Sequence, residues 1–338
     1  MGFEIRRALP RLLRRPPHPS LSVVAPVFDE AESLPELYAS LRGVLDPLDR
    51  PSEIIFVDDC SRDGSFALLR GLATGDPRVT VVRLRRRAGK SAALAAGFDA
   101  AAGDIVVTLD ADLQDDPADI PALLAKLDEG YDVVSGWRRR RQDRFFDRRL
   151  PSIVANRLIG RVMGLDLHDV GSGMKAYRKE VLNDVRLYGE MHRFLPLLCS
   201  IVGARVAEVA VTHHARRFGR SKYGLSRIPR VILDLVAVWF LSRYGNRPLH
   251  LFGGAGFVFV ALGLVLGVAG VIDAVSRQAP PGHAPLLWGG LLLAAGGCHL
   301  VALGLLGEIV NRNHRETGRK PAYYVREVFR GGSDVESP

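Results

Sequence analysis

Cysteine is nearly absent. Three occur in 338 residues, Cys60, Cys199 and Cys298, at no spacing that suits a metal, and one of them sits in an apolar run. A disulfide framework is therefore not expected, and a reducing compartment is. The basic N-terminus has no apolar core before Pro16-Pro17, so no cleavable signal peptide is expected. A Gly-rich Walker loop is missing too. Gly89-Lys90-Ser91 resembles the end of one, but the glycine that should precede it is lacking, which excludes an ordinary P-loop. The basic clusters carry no interleaved aromatics, which disfavours nucleic acid as a partner.

What is present is uneven. The formal net charge is +9, and the excess gathers at Arg11 to Arg15, Arg83 to Arg87, Arg138 to Arg149 and Arg216 to Lys222. Two long apolar runs lie near the C-terminus, so anionic lipid headgroups and diphosphates are better partners for these patches than nucleic acid. The length suggests roughly two domains.

The chain is organised around Val106-Val107-Thr108-Leu109-Asp110-Ala111-Asp112-Leu113-Gln114. A run of β-formers stops at two carboxylates one residue apart. That pattern reads as a buried strand delivering Asp110 and Asp112 to the carboxyl edge of a sheet, where open α/β folds place ligands. Two carboxylates and an amide oxygen suit a hard cation, Mg²⁺ or Mn²⁺, that also holds phosphates. An acidic turn capping the next helix, with Pro117 in its first turn, is the alternative.

Strands and helices alternate around that stretch. Leu21 to Ala25 is a strand ended by Pro26, and a helix follows from Glu32 to Leu45. Strands are expected again at Glu53 to Val57, Val79 to Leu84, Ile105 to Leu109 and Asp132 to Ser135. Helices are expected through Ala73, from Gly89 to Ala102 and from Pro117 to Glu129. This spacing means βαβ units and a largely parallel, doubly wound sheet. Asp58-Asp59 and Asp110-Asp112 then share one edge with the loop Pro26 to Glu30. Asp59 alone is open to a helix-capping role, but two acidic strand ends facing one crevice favour a ligand site.

Most of Arg138 to Arg149 reads as solvated loop, with one or two guanidinium groups free to grip phosphate. Asp169 to Gly173 is a turn, and Arg205 to Val211 a late strand. The pair His213-His214 reads as structural rather than metal-binding, with no acidic or thiol partner beside it in sequence. Leu225 to Tyr244 is amphipathic and suits the headgroup plane. Leu249 to Ile272 and Leu286 to Gly307 lack charge and are long enough to cross a bilayer, which takes roughly 20 residues. Glycines on both runs allow a tightly packed hairpin. Arginines flank its outer ends, so both ends and the large N-terminal domain are expected on the cytoplasmic side. The boundaries are a basic leader (1–20), a catalytic domain (21–224), a juxtamembrane helix (225–247), a transmembrane hairpin (248–311) and a cytoplasmic tail (312–338).

Four motifs occur in order: Pro26-Val27-Phe28-Asp29-Glu30, Val57-Asp58-Asp59-Cys60-Ser61-Arg62-Asp63-Gly64-Ser65, Asp110-Ala111-Asp112-Leu113-Gln114, and Arg216-Arg217-Phe218-Gly219-Arg220-Ser221-Lys222-Tyr223. With the tail Leu303 to Val310, they resemble the polyprenyl-phosphate group of the family 2 glycosyltransferases, from Leu21 to about Val328. The group includes dolichyl-phosphate mannose synthase and bacterial undecaprenyl-phosphate transferases. The resemblance implies a GT-A, Rossmann-like doubly wound domain followed by an interfacial helix and a two-helix hairpin. It implies an inverting transfer of one sugar, glucose, mannose or a relative, from a UDP- or GDP-sugar to polyprenyl phosphate. By that resemblance Pro26, Phe28, Glu30, Asp58, Asp59, Lys90, Asp110 and Ala111 hold the donor, and Asp112 and Gln114 hold Mg²⁺ or Mn²⁺. Asp110, Asp112 and Arg138 serve catalysis, and Arg138, Arg216, Ser221 and Lys222 meet the acceptor phosphate. The family often has Asn at the positions of Asp29 and Arg87. A processive synthase is disfavoured because its Gln-x-x-Arg-Trp motif and additional membrane helices are missing. An inactive membrane scaffold is the other class, and the intact Asp110-x-Asp112 speaks against it. The hairpin and the amphipathic helix also offer surfaces for a homo-oligomer.

Overall fold

The computed structural model describes residues 20–139, 167–187, 189, 191–215, 217, 236, 239–240, 243–244, 247–276, 285–316 and 323–331. The leader, most of the arginine-rich segment, Arg216, Ser221, Lys222 and nearly all of the amphipathic stretch lie outside them.

Among the described residues eight strands form one sheet, in the order β7-β5-β6-β4-β1-β2-β3-β8. They are β1 (Leu21–Val27), β2 (Ser52–Asp58), β3 (Val79–Leu84), β4 (Ile105–Thr108), β5 (Val133–Trp137), β6 (Lys175–Arg178), β7 (Val206–Ala210) and β8 (Val325–Arg330). The central β3, β2, β1 and β4 run parallel, as the alternating pattern predicts. The flanks depart from it. β6 inserts antiparallel between β4 and β5, and β8 pairs antiparallel with β3. The sheet is therefore mixed.

Helices among the described residues pack on this sheet: α1 (Leu34–Leu45), α2 (Ser65–Gly75), α3 (Lys90–Ala100), α4 (Ile120–Asp128), α5 (Lys179–Asp184) and α6 (Leu195–Ile201). Side chains alternate across a strand, so Val23 and Ala25 of β1 face one layer while Val24 faces the other. The first layer holds Leu34, Leu37 and Leu41 of α1, Leu69 of α2, and Ile120, Leu123 and Leu127 of α4. The second holds Ala93 and Ala96 of α3 and Leu195 and Cys199 of α6. Each fully buried Leu or Ile contributes about 1.5–3 kcal/mol. Burial also pushes the Cys199 thiol up to about 12, leaving it an inert core residue.

β1 does not stop at Pro26, as the sequence suggests. It continues to Val27, with Pro26 paired to Val57. Val24 accepts a hydrogen bond from Leu109 on the β4 side, and Pro26 shares its parity. β4 ends at Thr108, opposite Val24. The donor that proline lacks thus falls where no ladder partner remains.

The chain divides into two compact units, 1–238 with 320–338, and 239–319. In the second, α7 (Pro248–Ser276) and α8 (Pro285–Glu316) form an antiparallel hairpin. Both are long and apolar enough to span a bilayer, and large side chains such as Phe257 (71 % exposed) and Leu292 (76 %) point outward. That is the surface a lipid-facing hairpin presents, not a soluble core. Glycines make the seam: a Cβ on Gly256 would lie 2.6 Å from the Gly297 carbonyl, and one on Gly290 would lie 2.4 Å from the Gly267 amide. Gly289 and Gly296 have no neighbour there, so only part of the expected glycine set is interfacial. After the hairpin the chain returns to the first unit as β8. A strand at Val325–Arg330 departs from the cytoplasmic tail expected over residues 312–338.

Candidate active site

The carboxyl ends of β1, β2 and β4 meet along one edge, because parallel strands all deliver their C-termini to the same side. Each is followed by a residue in the left-handed region: Asp29 (φ 52°), Cys60 (φ 63°) and Leu113 (φ 59°). A leucine there is uncommon, and Leu113 is held by burial and by a turn in which the Gln114 amide donates to Asp112 Oδ1 at 3.2 Å. Asp112 is itself buried. The carbonyl of Ala111 accepts from Ser33 Oγ at 2.7 Å, pinning this loop to the start of α1.

Asp59 does cap a helix, but a distant one. Its carboxylate accepts from the Ala88 and Gly89 amides at 2.6 and 2.9 Å, fixing the N-terminus of α3. Burial pushes its carboxyl up, against those two hydrogen bonds. The first residue of α3, Lys90, forms an ion pair with Asp110. Burial would raise Asp110, yet the charge and hydrogen bond of Lys90, aided by Arg138 and Lys175, hold it below the usual carboxylate range.

A second carboxylate stands beside Asp110. A Cβ on Gly173 would lie 2.5 Å from Asp115 Oδ2 and 2.8 Å from Asp110 Cγ, so both carboxylates converge over that glycine. Burial, then the charge of Asp110, pushes Asp115 up to about 7. Lys175, buried at the end of β6, is pushed down to about 7 by burial and by Lys90. Among the described residues no three His, Cys, Asp or Glu side chains are arranged to hold a metal on their own. The chemistry of the set still fits a hard divalent cation. Asp112, Gln114 and the Asp110–Asp115 pair are oxygen donors, and Mg²⁺-type sites complete their shell with water and substrate phosphate.

Arg138 is anchored from behind. Its Nε and Nη2 donate to Asp169 at 2.7 and 3.0 Å, and the Asp169 amide donates to Glu208 at 2.9 Å.

The model for "Glycosyl transferase family 2" matches residues 22–186. Dodecaprenyl-phosphate galacturonate synthase from Rhizobium johnstonii is 39% identical, with 91% of this chain and 93% of that protein covered. The chain belongs to glycosyl transferase family 2. An undecaprenyl-phosphate 4-deoxy-4-formamido-L-arabinose transferase from Klebsiella pneumoniae is 36% identical to this transferase, over 94% of this chain and 96% of that one. In fold, the transferase is similar to a crystal structure of Mycobacterium tuberculosis glucosyl-3-phosphoglycerate synthase in complex with Mn²⁺ and UDP-glucose. The TM-score is 0.51 and the identity 23%, with 72% of this chain and 83% of that chain covered. The domain is accordingly a GT-A fold, and the protein an enzyme of the glycosyltransferase type.

In this family 2 transferase the structure gathers Phe28, Glu30, Asp59, Lys90, Asp110, Ala111, Asp112 and Gln114 on one edge of the sheet. Pro26 lies within β1. Asp58 is different: its side chain is fully buried, 3.6 Å from Arg83. Arg87, where the family often has Asn, lays its guanidinium 3.9 Å over the Phe28 ring. His214 has an acidic partner after all, Asp116 at 3.0 Å, from a segment about a hundred residues earlier. Sequence reading missed Asp115, Asp169, Gly173 and Lys175. Only the turn-forming composition of 169–173 hinted at any of them.

Proposed function

We propose that this transferase moves one sugar from a nucleoside diphosphate donor to a polyprenyl phosphate at the cytoplasmic membrane face. Two similar proteins are named for transfer to dodecaprenyl and undecaprenyl phosphate, and the chain spans nearly all of their length. The observation that carries the reading is the convergence of Asp110 and Asp115 beside Asp112 and Lys90, at the sheet edge where GT-A folds take their donor. An acceptor phosphate is already anionic near neutral pH. Its oxygen bonds to the anomeric carbon as the bond from that carbon to the diphosphate oxygen breaks, and the nucleoside diphosphate leaves with the electron pair. No proton need be removed, so the raised carboxyl of Asp115 is not called on as a base. Attack from the face opposite the leaving group inverts the anomeric centre.

Asp112 and Gln114, with Asp110 adjacent, are the residues to hold Mg²⁺ or Mn²⁺, which when bound stabilises charge on the departing diphosphate. Lys90 holds Asp110 ionised, and Arg138, braced by Asp169, presents a fixed cation to phosphate. Arg216, Ser221 and Lys222 remain our candidates for the acceptor phosphate. The hairpin leaves the first unit and returns to it as β8, so its two ends belong on one side of the bilayer. The flanking arginines support placing that side in the cytoplasm.

The test incubates membranes containing the protein with labelled UDP- and GDP-sugars and undecaprenyl phosphate, with Mn²⁺, Mg²⁺ or chelator. A labelled prenyl-phosphate sugar is expected, lost with chelator and in Asp112→Ala at unchanged expression. Wild-type turnover by Asp112→Ala would reject the assignment. No product from any donor would favour an inactive scaffold.

A further inference from the structure

The strand that follows the membrane hairpin reaches back to a buried residue of the site. β8 pairs with β3 in a register that sets Glu327 opposite Arg83. Arg83 Nη1 donates to Glu327 Oε1 at 2.9 Å, and its Nε lies 3.6 Å from Asp58 Oδ2. The guanidinium face covers the Phe66 ring at 3.9 Å. One planar cation is thus fixed on three sides, by a carboxylate of β8, a carboxylate of β2 and an aromatic ring of α2.

Asp58 needs that cation. It has no exposed surface, and Oδ2 makes no hydrogen bond. Its other oxygen, Oδ1, accepts from the Ser61 amide at 3.1 Å, and Ser61 Oγ accepts from the Asp29 amide at 3.1 Å. The next residue, Asp59, fixes the start of α3. Asp58 therefore shapes the loops after β1 and β2 from beneath rather than facing a ligand. A buried carboxylate keeps such a place only while its counter-charge is held, and Arg83 is held by Glu327.

We infer that Glu327 is a positioning residue for the nucleotide end of the donor site, acting through Arg83 on Asp58. The segment after the hairpin is then part of the donor site and not a tail. This rests on the nucleotide-donor reading above.

The experiment uses the full-length protein in lipid nanodiscs with Mn²⁺. Binding of UDP and of GDP is measured for wild type, Glu327→Gln, Glu327→Asp, Arg83→Gln and the double variant Arg83→Gln/Glu327→Gln. Each Gln variant is expected to weaken the nucleotide that wild type binds by about tenfold, and the double variant no further, because coupled partners do not add. Donor KM should rise while kcat and acceptor KM stay within about twofold, and Glu327→Asp, which keeps the charge, should recover most of the affinity. The inference is overturned if Glu327→Gln binds like wild type, if the two losses add, or if Glu327→Asp is as weak as Glu327→Gln, since mere strand packing would give that. If wild type binds neither UDP nor GDP, the nucleotide reading itself fails and takes the inference with it. Binding by wild type with no loss in Glu327→Gln sinks the inference alone.

Discussion

Arg138 and Asp169 are locked by two parallel hydrogen bonds, Nε to Oδ2 at 2.7 Å and Nη2 to Oδ1 at 3.0 Å, with 12% and 4% of their side chains exposed. An arginine offered to phosphate from a loop would lose entropy on each encounter; this one is already oriented. Breaking such a pair from one side costs about 3–5 kcal/mol, because the remaining charge stays buried. Asp169→Ala is therefore expected to destabilise the protein by about that much and to depress transfer. Arg138→Met/Asp169→Ala should regain most of the stability and none of the activity. Thermal unfolding beside a transfer assay checks both, and a double variant no more stable than Asp169→Ala would refute the buried-pair account.

Gly173 owes its identity to the carboxylates above it. A methyl group there would be forced to within 2.5 Å of Asp115 Oδ2 and 2.8 Å of Asp110 Cγ. Gly173→Ala should cost about 1–3 kcal/mol by overpacking and lower transfer by more than about tenfold, since the methyl separates the two groups. Gly171→Ala is the control, for its nearest neighbour would be Arg138 Nη2 at 3.5 Å, an ordinary contact. Equal activity of the two variants would show that the convergence of Asp110 and Asp115 is incidental.

The parallel half of the sheet was legible because each strand is a short apolar run ending in turn or acidic residues, and such local signals need no distant partner. Val79–Leu84 is matched end to end. What escaped reading was non-local. β6 is four residues, Lys175–Arg178, with a cation at each end and a buried lysine that no periodicity rule allows. β8 pairs with a strand some 240 residues earlier, across the whole hairpin. The motif residues themselves were visible, but not their partners. Lys90 with Asp110, Asp59 with the Ala88 and Gly89 amides, and Arg138 with Asp169 are all joined by folding rather than by spacing. Asp58 and Asp59 look alike in sequence and both are buried; only their partners separate them, Arg83 and the Ser61 amide for the first, the Ala88 and Gly89 amides for the second.

The hairpin seam gives a prediction that needs no assay of transfer. A Cβ on Gly297 would lie 2.6 Å from the Gly256 carbonyl and 2.7 Å from Val260, whereas one on Gly296 meets nothing within 4 Å. Helices in lipid associate through close packing, so bulk at the seam separates them while bulk on the outer face does not. Gly297→Val should lower thermal stability in nanodiscs by about 1–3 kcal/mol and expose the hairpin to proteolysis. Gly296→Val should leave both nearly unchanged. The same loss in both variants would mean that the seam lies elsewhere.

The last prediction concerns acid. His192 is buried, its Nδ1 is 2.8 Å from Ser91 Oγ, and its amide donates to the same oxygen at 3.1 Å. Burial, then the charges of Lys90, Arg193 and Lys175, pushes its pKa well below the ordinary 6.5. As pH falls below about 6.5, the unfolded chain takes up a proton that the folded chain refuses. The stability from this residue is thus fully present above that pH and is lost toward the folded value, at up to about 1.4 kcal/mol per pH unit. Asp59 and Asp115 work the other way, because raised carboxyl pKa values favour the folded state as pH falls. The bare slope of wild type is therefore mixed, and the difference from His192→Gln isolates the histidine. Glutamine keeps a partner for Ser91 but does not titrate, so His192→Gln should lose less stability than wild type between about pH 7.5 and pH 5.5. Parallel losses in the two proteins would mean that His192 is not the group protonated on unfolding.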